Sequence, residues 1–158
     1  MLVARLIEDI IDNYNKQLQL YERIAALSCA QLNLLSEDNW LDKQDELNDL
    51  LKKRQLINEE IDILNSQNKI FQEQVIMQTG IPEFALSHLE RQLEEVQYKS
   101  LSDVVTGLGD ILANISKIDE QNHILIKKKA GPSRIESRTS SQQAQNAYKQ
   151  AERQSKKS

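Results

Sequence analysis

Between Leu47 and Val75 the chain repeats with alternating steps of three and four residues: Leu47, Leu50, Arg54, Ile57, Ile61, Leu64, Asn68, Phe71, Val75. A strand alternates with a period of two, so this pattern cannot line one face of a sheet. It lines one face of a helix, and its length argues that the helix lies against another in coiled-coil fashion. Arg54 and Asn68 interrupt the apolar seam. The reading adopted for both is structural: each sets register or carries its polar head out to water.

The same logic extends in both directions. Val3, Ile7, Ile10, Tyr14, Leu18, Tyr21, Ile24, Ser28, Leu32 and Leu35 form a first stripe, and no glycine or proline occurs before Gly80. A helix over this stretch is about 50 Å long at about 1.5 Å per residue. Ser36-Glu37-Asp38-Asn39 then supplies capping and first-turn residues, so a short connection turns the chain back into an antiparallel neighbour running from about Trp40 to Gln78. Thr79-Gly80-Ile81-Pro82 is the strong internal break, because Gly ends helices and Pro suits the first position of the next.

A third helix is predicted from about Pro82 to Lys128. Its stripe is Leu86, Leu89, Leu93, Val96, Leu101, Val104, Leu108, Ile111, Ile115, Ile118, Asn122 and Leu125. Gly107 and Gly109 lie inside it, each costing about 1 kcal/mol against Ala, and mark a flexible point or a close helix crossing. Val105 and Leu112 widen the apolar face there. The stretch Leu101, Val104, Val105, Leu108, Ile111, Leu112 and Ile115 is therefore a candidate face for a partner's amphipathic helix, with intramolecular core as the competing reading.

The expected fold class is all-α. Three long amphipathic helices form an antiparallel, coiled-coil-like bundle followed by a disordered basic C-terminal tail. The divisions are a helical hairpin over 1–78, the third helix over 79–129 and the tail over 130–158. Composition agrees: hydrophobic residues make up 39% and aromatics only 4%. So much stripe with so little aromatic filling leaves self-association open.

The net charge of −4 conceals an asymmetry. Residues 1–126 carry a net −11, and residues 127–158 carry a net +7. The tail is dense in Ser, Gln, Lys and Arg and cannot bury enough apolar surface to offset its ordering entropy. Nucleic acid is not the expected partner, because Tyr148 is the tail's only aromatic and no groove-reading motif precedes it. Stable membrane insertion is not expected either, since no run approaches the roughly 18 apolar residues of a span. Met1-Leu2-Val3-Ala4-Arg5 carries charge too early for a secretory signal. The single Cys29 has no partner for an internal disulfide and reads as a small structural residue. Cytoplasmic localisation is the expectation.

Catalytic chemistry is not legible. Gly107-Leu108-Gly109 lacks the third glycine and the preceding strand of a dinucleotide fingerprint. Glu120 and His123 form one Glu-x-x-His pair, but di-iron bundles need two such pairs, and Ala85 stands where His88 would need its glutamate. The chain is read as a non-enzyme without cofactor or metal.

Three segments together carry a family resemblance. The first is Tyr21-Glu22-Arg23-Ile24-Ala25-Ala26-Leu27-Ser28, leading to Gln31-Leu32. The second is Leu47-Asn48-Asp49-Leu50-Leu51-Lys52-Lys53-Arg54-Gln55-Leu56-Ile57, running on to Glu60-Ile61-Asp62. The third is a basic tail containing Asn146-Ala147-Tyr148. The set resembles the FlgN/FliT-type bacterial flagellar export chaperones, over most of the chain. That resemblance implies a small cytoplasmic helical chaperone for type III export. Such a protein binds hook-associated proteins of the hook–filament junction, or the filament cap protein, keeps them soluble and delivers them to the flagellar export gate. It also implies cargo binding in the C-terminal half and a gate contact at Tyr148. The competing reading is a structural coiled-coil subunit of an unrelated complex.

Overall fold

The computed structural model describes residues 2–130. The basic tail from residue 131 onward, with Tyr148, lies outside the described residues. Among the described residues there are four α-helices and one short 3-10 turn: α1 Leu2–Ser36, a 3-10 turn at Trp40–Lys43, α2 Gln44–Thr79, α3 Leu86–Leu89 and α4 Glu95–Ala130. The all-α, long-helix expectation is met among the described residues.

The α1–α2 hairpin forms as expected, but its connection differs: Trp40–Lys43 make a 3-10 turn, α2 starts at Gln44, and neither Asn39 nor Lys43 caps with its side chain. Asp45 and Glu46 sit in the first turn of α2, where carboxylates favour the positive end of the helix dipole. At its other end Gly80 takes φ +75, the left-handed conformation that costs other residues energy, and its N–H donates to the Ile76 carbonyl at 2.8 Å. Thr79 also donates its hydroxyl to the Val75 carbonyl at 2.8 Å. In α4, Lys127, Lys128 and Lys129 occupy the negative, C-terminal turn.

The helix α1 is the central element. It packs along α2 on one flank and along α4 on another, whereas no Cα of α2 comes within 8 Å of a Cα of α4. Residue pairing gives the directions. Asn13 meets Asn68 and Ser28 meets Arg54, so α1 and α2 are antiparallel. Gln97 bonds to the Ala4 carbonyl, and Asn122 to the Ser28 carbonyl, so α4 runs parallel to α1.

The third helix differs from the expectation. It does not start at Pro82; the chain bends, makes the one-turn α3, bends again and enters α4 at Glu95. The reason is topological. To pass from the α2 flank of α1 to the α4 flank, residues 81–94 must cross the N-terminal end of α1, which a straight helix cannot do. The crossing is held by burial: Ile81 and Leu89 join Leu6, Ile7, Ile10, Val75 and Leu101 in one cluster. Each fully buried Leu or Ile contributes about 1.5–3 kcal/mol, more than helix continuity would supply over the same few residues.

A second apolar cluster lies further along, formed by Leu20, Ile24, Ala25, Ile57, Ile61 and Ile115. Between the two clusters α1 meets α2 through polar side chains. Asn13 donates to Asn68 at 2.9 Å, Gln17 donates to Asn65, and Gln72 donates to the Tyr14 hydroxyl at 2.8 Å. The core is thus interrupted by a polar layer, which disfavours slippage of one helix against the other.

Candidate functional site

Beyond the second cluster a polar junction joins all three long helices. Ser28 on α1 is fully buried. Its hydroxyl accepts from Arg54 Nη1 of α2 at 3.0 Å and donates to Asp119 Oδ1 of α4 at 3.1 Å. Arg54 in turn grips Asp119 with both terminal nitrogens, at 2.7 and 2.6 Å. Asn122, one turn on, donates to the Ser28 carbonyl at 3.1 Å. Arg54 therefore does not carry its head to open water; it spans the gap between α2 and α4 that the backbones leave. Charge-assisted bidentate pairs of this kind fix geometry as well as adding energy. Nothing in the apolar stripes singles out Asp119, and the signal available in the sequence was only that Arg54 sat in a seam.

The polar layers are not fully satisfied. Asn68 Nδ2 and Asn122 Oδ1 are buried and find no hydrogen-bond partner. Leaving buried polar atoms unpaired costs stability, so these asparagines serve geometry rather than strength.

The candidate cargo face on α4 is divided by the packing. Leu101, Val104 and Ile115 are buried, with Leu101 in the first cluster and Ile115 in the second. Val105, Leu108 and Ile111 are half-buried. Leu112 is 39% exposed. The face is thus brought together as one stripe, one edge of which is closed against the rest of the chain while the other reaches solvent. Gly107 faces Leu18 of α1 with room for a methyl group: a Cβ placed there would lie 3.6 Å from Leu18 Cδ2, an ordinary van der Waals distance.

A second apolar line was not singled out by the sequence reading. Leu56, Ile63, Ile70 and Met77 follow one another at intervals of seven on α2 and are 61, 60, 56 and 83% exposed. They point away from the inward seam of the same helix, whose members Ile57, Ile61, Asn68 and Val75 are all buried. The seven-residue spacing was available in the sequence; periodicity alone could not say which of two parallel lines faced inward.

Two tyrosines of α1 feel the packing electrostatically. Burial pushes the Tyr14 phenol above its ordinary value of 10.0, an effect that the Gln72 hydrogen bond partly offsets. Burial also raises Tyr21, and the Asp62 carboxylate adds to it. Cys29 is exposed on α1. Among the described residues no group of three or more His, Cys, Asp or Glu side chains could hold a metal ion. No helix among them is long and apolar enough to cross a membrane. A surface hollow of about 390 Å³ is an open groove between α1 and α2 flanked by Leu34, Leu50, Glu37, Glu46 and Asp49. No protein-family profile, curated protein or solved structure matches the chain.

Proposed function

We propose that this chain is a flagellar type III export chaperone, a cytoplasmic binding protein rather than an enzyme. It would take up hook-associated proteins of the hook–filament junction, keep them soluble and present them to the export gate. The flagellar part of this reading rests on the three resembling segments, Tyr21–Ser28, Leu47–Ile57 and Asn146–Tyr148. The observation that carries the binding part is the way α4 is attached. It lies along α1 but is not closed off by α2, and it keeps Val105, Leu108 and Ile111 half-covered with Leu112 exposed beside them. An amphipathic cargo helix can lay its apolar face along that edge as in helix-in-groove recognition.

The test is co-expression of the full chain with each hook-associated protein and the filament cap protein of a flagellated bacterium. A stoichiometric complex with one of them is the expected result. A chain that stays uncomplexed with all of them overturns the reading. The exposed line on α2 favours a second reading, a structural coiled-coil subunit, which predicts assembly without affinity for any flagellar subunit.

A further inference from the structure

The apolar line on α2 has properties that its scattered counterparts on α4 lack. Val96, Leu112 and Ile124 are exposed on α4 with no common spacing, and apolar residues scattered singly need no partner. Leu56, Ile63 and Ile70 repeat every seven residues. Buried members of the inner seam, Ile61, Asn68 and Val75, follow the same seven-residue period, so such a repeat stays in step with that seam along the helix. The residues that flank the line are all exposed: Lys52, Glu59, Ser66 and Glu73 on one side, and Lys53, Glu60, Gln67 and Gln74 on the other.

We propose that this line is the seam of an antiparallel homodimer, in which α2 of one protomer pairs with α2 of a second copy about a two-fold axis at Ile63. The flanking charges select both the partner and the register. With Ile63 on the axis, Leu56 faces Ile70 of the other copy and each Lys52 faces a Glu73. Glu59 falls opposite Ser66, and Glu60 opposite Gln67, so no like charges meet. Shifting the axis to midway between Ile63 and Ile70 sets Glu59 against Glu73. Running the helices parallel and in register sets Lys52 against Lys53 and Glu59 against Glu60. Like charges directly across such a seam oppose pairing. Met77 meets Asp49 at the rim of the selected register, which confines the apolar contact to three residues per copy. So small a contact falls short of the roughly 800 Å² per partner of a standard interface, and the dimer is therefore a concentration-dependent one. This pairing does not rest on the chaperone reading, since α4 and its candidate face take no part in it.

The experiment is sedimentation equilibrium of the full chain from low micromolar to several hundred micromolar, with circular dichroism as the check on folding. A monomer–dimer equilibrium is expected in the upper part of that range. Ile63→Asp, which sets two carboxylates on the axis, should raise the dissociation constant by about a hundredfold or more with unchanged helicity. Lys52→Glu should weaken the dimer, and adding Glu73→Lys should restore it, because the swap re-forms the pair only in this register. A chain that stays monomeric throughout, or a dimer indifferent to Ile63→Asp, overturns the proposal. A dimer lost in Lys52→Glu but not rescued by the swap overturns it as well. So does a monomer in which Ile63→Asp abolishes capture of a flagellar subunit, which would assign the line to cargo instead.

Discussion

Arg54 and Asp119 meet through two hydrogen bonds of 2.7 and 2.6 Å across the gap between α2 and α4, where no Cα of one helix comes within 8 Å of a Cα of the other. Their side chains retain only 24 and 14% exposure. The pair works as a clasp: α1 and the two apolar clusters hold α2 and α4 together, and this contact adds a direct polar tie between the two outer helices with Ser28 beneath.

Removing one member leaves the other charge partly buried. Breaking a fully buried pair costs about 3–5 kcal/mol, and the remaining exposure reduces that. Asp119→Ala should therefore destabilise the chain by about 2 kcal/mol in urea unfolding. Arg54→Met combined with Asp119→Leu should recover most of the loss, since an apolar pair of similar size leaves no stranded charge. A single variant as stable as the parent would mean that the clasp closes only intermittently.

The two raised tyrosines give the fold an alkaline limit. Their folded-state ionisation lies above 10.0, the ordinary value that applies once the chain unfolds. Below that value both states hold the proton, and these groups leave stability unchanged with pH. As pH rises past about 10, the unfolded chain loses the proton first and is favoured. The melting temperature should hold steady on this account up to about pH 10 and then fall. Tyr14→Phe together with Tyr21→Phe should flatten part of that fall. A double variant with the parent's profile would place the alkaline sensitivity in other groups.

The hairpin was legible in the sequence because its signals are local. The stripe from Val3 to Leu35 and the heptads from Leu47 to Val75 each describe one continuous helix, and Gly80 ends the second at the position its backbone freedom favours. The break between α3 and α4 was not legible. Leu86, Leu89 and Leu93 keep helical spacing, so the segment reads as helix, and what bends it is the need to cross the end of α1. Asn13 and Gln17 were missed on α1 for another reason. They are buried, but an apolar stripe does not register polar members of a second inward face. The α4 stripe was found, and its division between core and edge depends on where α1 lies, which no residue of α4 encodes alone.

Gly107 offers a direct gain in stability. Its φ is not positive, and a methyl group there would meet Leu18 Cδ2 at 3.6 Å and Cδ1 at 3.8 Å, ordinary van der Waals distances. Gly107→Ala should then contribute the usual helix-propensity difference of about 1 kcal/mol plus a small packing gain. Thermal unfolding should show a higher midpoint. A lower one would mean that α1 and α4 need to approach more closely than this packing allows, as in a crossing that slides during function.

The edge of α4 separates the chaperone reading from plain core. Leu101 has no exposure, so Leu101→Asp should unfold the N-terminal cluster and is uninformative about cargo. Leu112 is 39% exposed, and Leu112→Asp should leave helicity and melting temperature nearly unchanged, within about 0.5 kcal/mol, as surface substitutions usually do. If a cargo helix lies along this edge, the same substitution places a carboxylate under its apolar face and should weaken capture of the hook-associated protein by about tenfold or more. Leu108→Asp, one turn earlier and half-buried, should weaken capture too and also lower the melting temperature by several degrees. Measured together, capture and melting distinguish the possibilities. Loss of capture in Leu112→Asp with intact folding supports a cargo edge on α4. Full capture by a folded Leu112→Asp would show that α4 presents no such edge, and the stripe from Leu101 to Ile115 would then serve the α1–α4 interface alone.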